Sequence, residues 1–128
     1  MNEMPPRPNR SWDVLCHLSA LAMFLAIPFG NILGPLVIWL LKKDELGSVD
    51  AHGKESLNFQ ISLSLYLLAF AGLTVMLMFI LIGFLMVPML VALAAVMPIV
   101  DTIFVVIASL KASNGEFFRY PLTIRLIR

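Results

Sequence analysis

Two long stretches without a formal charge decide what this chain can become. None falls between Asp13 and Lys42, and none between Glu55 and Asp101. A helix needs about 20 apolar residues to cross roughly 30 Å of hydrocarbon, so Ser56–Val100 is long enough for two crossings. A soluble domain of 128 residues exposes too much surface to be left so bare. Charged residues make up 13% and hydrophobic ones 60%, against roughly 25% and 45–50% in an ordinary soluble domain. The chain therefore reads as an all-α, polytopic membrane protein of about four helices. A large soluble catalytic domain and a disordered tail are excluded, as is a disulfide-stapled module, because Cys16 has no partner cysteine. The net charge of +1 gives no reason to expect nucleic acid.

The basic residues stand in three islands: Arg7 and Arg10, then Lys42, Lys43 and Lys54, then Lys111, Arg119, Arg125 and Arg128. Cytoplasmic loops collect Lys and Arg. Both termini and the Lys42–Lys54 segment are accordingly expected on the cytoplasmic side of a bacterial inner membrane, crossed several times. The uncharged Gly83–Pro88 run predicts an outer turn between a helix from about Asp50 to Ile82 and another from about Pro88 to Ala112. Val14–Leu41 would reach about 42 Å as one helix and is broken at Pro28–Asn31 and at Gly34-Pro35. Two short helices, about Ser11–Ile27 and Asn31–Lys43, fit better than a single kinked crossing. The N-terminus resembles a signal peptide, but Ala20-Leu21-Ala22 falls too early in the apolar run to be its cleavage site, and an uncleaved anchor is expected. The organisation expected is a short N-terminal tail over 1–10 (with an extended Pro5–Pro8 start), one helical membrane domain over 11–113, and an interfacial tail over 114–128. Asn114-Gly115 supplies the signal that ends the last helix.

Polar residues inside membrane helices are the first candidates for function. Glu55, Asn58, Ser62 and Tyr66 recur at helical spacing and form one narrow stripe on the third helix. His52 and Ser48 extend it outward. This stripe is either a polar groove at the lip of a conduction path or a packing clamp bonded to neighbouring helices. Glu55 is expected to pair with Lys42, Lys43, Arg119 or His17. Asp101 falls near mid-bilayer, where a lone carboxylate is neutralised or paired. Its candidate partners are His17, Asn58, Tyr66 or a second copy of the chain, and Ala94, Ala108 and Ala112 share its face. Asp13 and His17 are placed to pair at i, i+4. Cys16, His17, His52 and the eight methionines raise a metal reading. Their spacings match no ligand pattern, and the methionines read as apolar filling. No cofactor, metal or enzymatic activity is expected.

Three blocks together resemble a known family. The first is Trp12 with His17-Leu18-Ser19, then Gly34-Pro35-Leu36-Val37-Ile38-Trp39-Leu40 and Lys42-Lys43. The second is Val49-Asp50-Ala51-His52-Gly53-Lys54-Glu55-Ser56-Leu57-Asn58-Phe59-Gln60. The third is Lys111-Ala112-Ser113-Asn114-Gly115-Glu116 with Phe118-Arg119-Tyr120-Pro121-Leu122. In this order they resemble the Tic20-like small bacterial membrane proteins, a domain-of-unknown-function family. Gly53 and Ser56 stand where that pattern has alanine, and Asp101 lies outside it. The resemblance implies a four-helix inner-membrane protein. Its namesake is a chloroplast inner-envelope translocon component and some relatives act at magnetosome membranes, but neither role carries over residue by residue. Two functions stay open. One is a structural or assembly component that binds lipid and other membrane proteins or itself. The other is a subunit of a channel or transporter, for protein translocation or for a small solute or proton, using the helix-3 stripe and Asp101.

Overall fold

In the computed structural model, residues 10–25 and 29–128 are described. The Pro5–Pro8 start and Pro28 lie outside them. Four α-helices follow one another: α1 Arg10–Leu18, α2 Gly30–Lys42, α3 Gly47–Met78 and α4 Ile82–Ser113, with a 3-10 helix over Ser19–Leu25 between the first two. No strand occurs among the described residues. The all-α expectation of two short helices followed by two long ones holds.

The lengths define two zones. α3 and α4 have 32 residues each, about 48 Å at 1.5 Å per residue, enough to span a bilayer. α1 with its 3-10 extension reaches about 27 Å, and α2 about 20 Å. The short hairpin therefore surrounds one half of the long pair and leaves the other half bare. Residues 52, 53 and 55–60 of α3 are buried on every side, whereas Leu68, Val75 and Met76 are exposed. On α4, Leu85, Met89, Val91, Val96 and Ile99 are likewise exposed. A continuous apolar surface of this size is what lipid, rather than water, covers.

Small residues set the packing, as expected where lipid tails are as apolar as the helix faces. A Cβ on Gly30 or Gly34 would strike the backbone of Ala22 or Ser19, so the Gly30-x-x-x-Gly34 face of α2 lies against the 3-10 segment. A Cβ on Gly53 would meet Trp39 at 2.6–2.9 Å. This close contact is why position 53 carries no alanine. Ala108 and Ala112 are fully buried on α4, which α1 packs against. The small-residue face read around Asp101 thus receives α1 along this part, while Ala94 stays exposed.

The turn between the two long helices, expected on the outer side, falls earlier than the sequence predicts. α3 ends at Met78 and α4 begins at Ile82, with Leu81 in the left-handed region at φ 68°. Gly83 takes the close approach to the backbone of Thr74–Met78 that a side chain would block. Pro88 sits inside α4 and not at its start, at the cost of the bond its missing N–H would have made. The other end of α4 follows the sequence. Gly115 at φ 80° closes it, with its N–H donating to Ala112 O at 3.0 Å and the Glu116 N–H to Lys111 O at 2.9 Å, a Schellman pair.

The charged ends meet at one end of the bundle. The Arg10 guanidinium lies beside Gly115 and donates to Ser113 O at 3.5 Å. Lys42 stands over the Trp12 ring, and Trp39 Nε1 donates to Asp50 at 2.9 Å. The start of α1, the α2–α3 loop and the end of α4 are therefore neighbours. The N-terminal pair accordingly forms a hairpin, and not a single kinked crossing.

Candidate functional site

The stripe on α3 is occupied, and its occupant is the chain's own C-terminal segment. Glu55 Oε1 accepts the Tyr120 N–H at 2.8 Å and the Arg125 Nη2 at 2.7 Å. Asn58 bonds Ile127 twice, donating Nδ2 to its carbonyl at 2.9 Å and accepting its N–H at 2.8 Å. Ser62 Oγ accepts the Ile124 N–H at 2.8 Å and donates to Asn58 O at 2.7 Å. The Tyr66 hydroxyl donates to Leu122 O at 2.7 Å. Residues 120–127 thus run along α3 from Glu55 to Tyr66 and return past Ser62 to Asn58. Alternate tail residues find backbone partners on the stripe, much as an added strand would.

The cation at Glu55 is Arg125, and not Lys42, Lys43, Arg119 or His17 as the sequence predicts. The expectation failed because the tail folds back onto α3. Arg125 lies close only after the chain has reversed at Pro121-Leu122, where Leu122 takes φ 55°.

A second polar cluster joins α1, α3 and the tail. His17 Nδ1 lies 2.8 Å from the Tyr120 hydroxyl, and His17 Nε2 lies 3.0 Å from His52 Nδ1. His52 Nε2 faces the Asp13 carboxylate at 3.9 Å. All four residues are buried. With neutral rings, one arrangement satisfies both hydrogen bonds of His17. Tyr120 donates to His17, His17 donates to His52, and the remaining His52 N–H points at Asp13. Asp13 therefore serves His52 and not His17, because both His17 nitrogens are already engaged. Burial, with the charges of Asp101 and Glu55 nearby, pushes the Tyr120 hydroxyl above the ordinary tyrosine range, so it remains the donor. Its ring stacks on Phe59 at 4.0 Å, with Phe118 edge-on at 5.2 Å. Phe117 packs against His52. Three aromatic residues of the tail are thereby tied to the helices.

Within the chain, Asp101 meets neither His17, Asn58 nor Tyr66. Its Oδ1 accepts from Gln60 Nε2 at 2.6 Å. Gln60 Oε1 in turn accepts from Asn31 Nδ2 at 3.1 Å, and Ser64 Oγ lies 3.4 Å from the same nitrogen. Sequence reasoning missed Gln60 and Asn31. Gln60 lies off the Glu55 stripe, about 140° around the helix by the 100° step, but a fully buried amide in a membrane helix is itself a signal. A cavity of about 210 Å³ opens beside this chain of amides, between α2, α3, α4 and the 3-10 segment.

Fold and site together define a class: a polytopic helical membrane protein whose polar core is closed by its own tail. The chain belongs to the magnetosome magnetite crystal formation protein family (MamF/MmsF), whose family model matches residues 8–127. This corrects the Tic20-like resemblance, whose blocks lie within the same matched region. The family is one of magnetosome membrane proteins. No curated protein and no solved structure matches the chain.

Proposed function

We propose that this protein is a non-catalytic scaffold of the magnetosome membrane, which holds other membrane proteins or further copies of itself where the crystal forms. One observation carries the reading. The stripe residues Glu55, Asn58, Ser62 and Tyr66, which could have lined a conduction path, are bonded to the protein's own tail, which leaves a closed core and an apolar exterior. On this reading 11–113 is one membrane domain and 114–128 is a tail bound to its inner face. The shared basic end faces the cytoplasm, with both termini, in a multi-pass protein inserted through the bacterial inner membrane. The clustering of Arg10, Lys42, Lys54 and Lys111 near that end supports this orientation.

The outer halves of α3 and α4 offer the contact surface. Ala92, Ala95 and Val96 are exposed there, and small residues let a partner helix approach closely. Photo-crosslinkers at Ala92 and Val96, in magnetosome membranes of a magnetite-forming cell, are expected to capture discrete adducts. Crosslinkers at Ser56 are expected to capture none beyond the chain itself. Purified protein in liposomes is expected to pass neither protons nor small solutes. A flux abolished by Asp101→Asn would overturn the scaffold reading in favour of transport.

A further inference from the structure

Asp101 is 3% exposed, yet no Lys, Arg or His among the described residues pairs with it. Its Oδ1 is held by Gln60, and no other donor meets the carboxylate among the described residues. A carboxylate at this depth in a membrane has to be neutralised. A proton would do so, but a bound proton needs no room. Beside Asp101 lies an open cavity of about 210 Å³, room enough for an ion with several waters.

The walls of that cavity are chemically sorted. Asp101, Gln60, Asn31 and Ser64 line it, and so do Ala94 and Pro98. Pro98 has no N–H to offer the carbonyl of Ala94 four residues earlier, so that oxygen lacks its ordinary helical partner beside the cavity. The available donors are thus one carboxylate, two amide oxygens, a hydroxyl and a freed carbonyl. These are hard oxygen ligands. No imidazole or thiolate lines the cavity, whose sulfurs are the thioethers of Met23 and Met97; the oxygen set beside Asp101 is the one a hard cation prefers. A divalent ion against a single carboxylate would leave net positive charge inside the bilayer, whereas a monovalent ion leaves none.

We propose that this cavity binds an alkali-metal cation, held by Asp101 and the neutral oxygens of Ser64, Asn31, Gln60 and Ala94, with part of its water shell retained. The ion ties α2, α3 and α4 together at the depth where the short hairpin ends. The site concerns binding alone and does not depend on the scaffold reading.

The test is thermal unfolding of the full chain in detergent at fixed ionic strength, with choline chloride replaced stepwise by sodium or potassium chloride. A saturable rise in Tm of about 5 °C is expected for at least one alkali ion, the size of response given by a ligand well above its Kd. Asp101→Asn should abolish the rise. Ser64→Ala, a milder change, should shift its midpoint to several-fold higher concentration, and it decides the matter where Asp101→Asn does not fold. Equal melting in choline, sodium and potassium would overturn the proposal and leave Asp101 with a proton alone. An unchanged cation response in both variants would overturn it by placing any ion elsewhere.

Discussion

Removing Arg125 should destabilise the protein more than removing the charge of Glu55, although the two form one contact. Glu55 is 5% exposed and its Oε1 takes two donors, at 2.7 and 2.8 Å. In Arg125→Leu a buried carboxylate keeps only the Tyr120 N–H. Stranding one partner of a buried pair costs about 3–5 kcal/mol. The Arg125 side chain is 32% exposed, and solvent screening of that end brings the expectation to about 3 kcal/mol. In Glu55→Gln no charge is stranded in the core. The amide oxygen still accepts from Tyr120, and Arg125 turns outward, so the loss is one charge-assisted bond of about 1.5 kcal/mol. At about 3 °C per kcal/mol for a chain of this size, the expected falls in Tm are about 9 °C and about 5 °C in detergent. The double variant should melt near Glu55→Gln alone, since no buried charge remains to be stranded. Such a double-mutant cycle isolates the coupling. If Arg125→Leu and Glu55→Gln both melt within a degree of the parent, the tail is not clamped at Glu55. If their effects simply add, the two residues act separately and the reasoning fails.

Asn58→Leu removes both bonds to Ile127 and should cost about 2 kcal/mol; hydrogen exchange is expected to accelerate at residues 124–128 and not in α4. Gly34→Ala drives a methyl into the Ser19 backbone and should cost about 2 kcal/mol or more by overpacking, read as a fall in Tm, while Gly72→Ala, which meets nothing within 4 Å, should be neutral or slightly stabilising. Tyr120→Phe keeps the ring on Phe59 but removes the hydroxyl at His17, for a loss of about 1–2 kcal/mol. The same variant has a pH signature. The Tyr120 value is raised above the ordinary 10.0, so its contribution is full below about pH 10 and declines as pH rises beyond, where only the unfolded chain releases the proton. The stability gap between parent and Tyr120→Phe should narrow above pH 10 in alkaline melts.

The membrane class and the four helices were legible because charge-free length and basic islands are one-dimensional signals. The Glu55–Asn58–Ser62–Tyr66 face was equally legible, since helical spacing puts those residues together whatever lies opposite. Their partners were not. They come from residues 120–127, more than 50 positions away, and that segment bonds mostly through its backbone, which no side-chain pattern betrays. The turn between α3 and α4 was misplaced because Pro88 reads as a boundary, whereas Gly83 mattered for its close approach to α3. Gln60 escaped because it does not share the spacing of the stripe. The pair meets only when α3 and α4 are set side by side.

Polarity along α3 is a division of labour between its two halves. Helices in a bilayer gain nothing from burying leucine against leucine, so a unique arrangement has to come from close packing and hydrogen bonds. In the inner half, three faces of α3 each carry a different polar answer. His52 meets α1, Gln60 meets α2 and α4, and the Glu55–Tyr66 stripe meets the tail. Every neighbour is thereby fixed in register by a bond that a slip of one residue would break. Beyond Tyr66, in the other half, Thr74 is the buried polar side chain, and its hydroxyl turns back to Phe70 O of its own helix at 2.9 Å. That half consequently makes no polar demand on the rest of the fold. A partner can cover its apolar face without disturbing the core, whereas a partner at the inner half would first have to displace the tail. A partner at the α3–α4 turn, as the scaffold proposal requires, and a fixed arrangement at the opposite end are therefore compatible in one short chain.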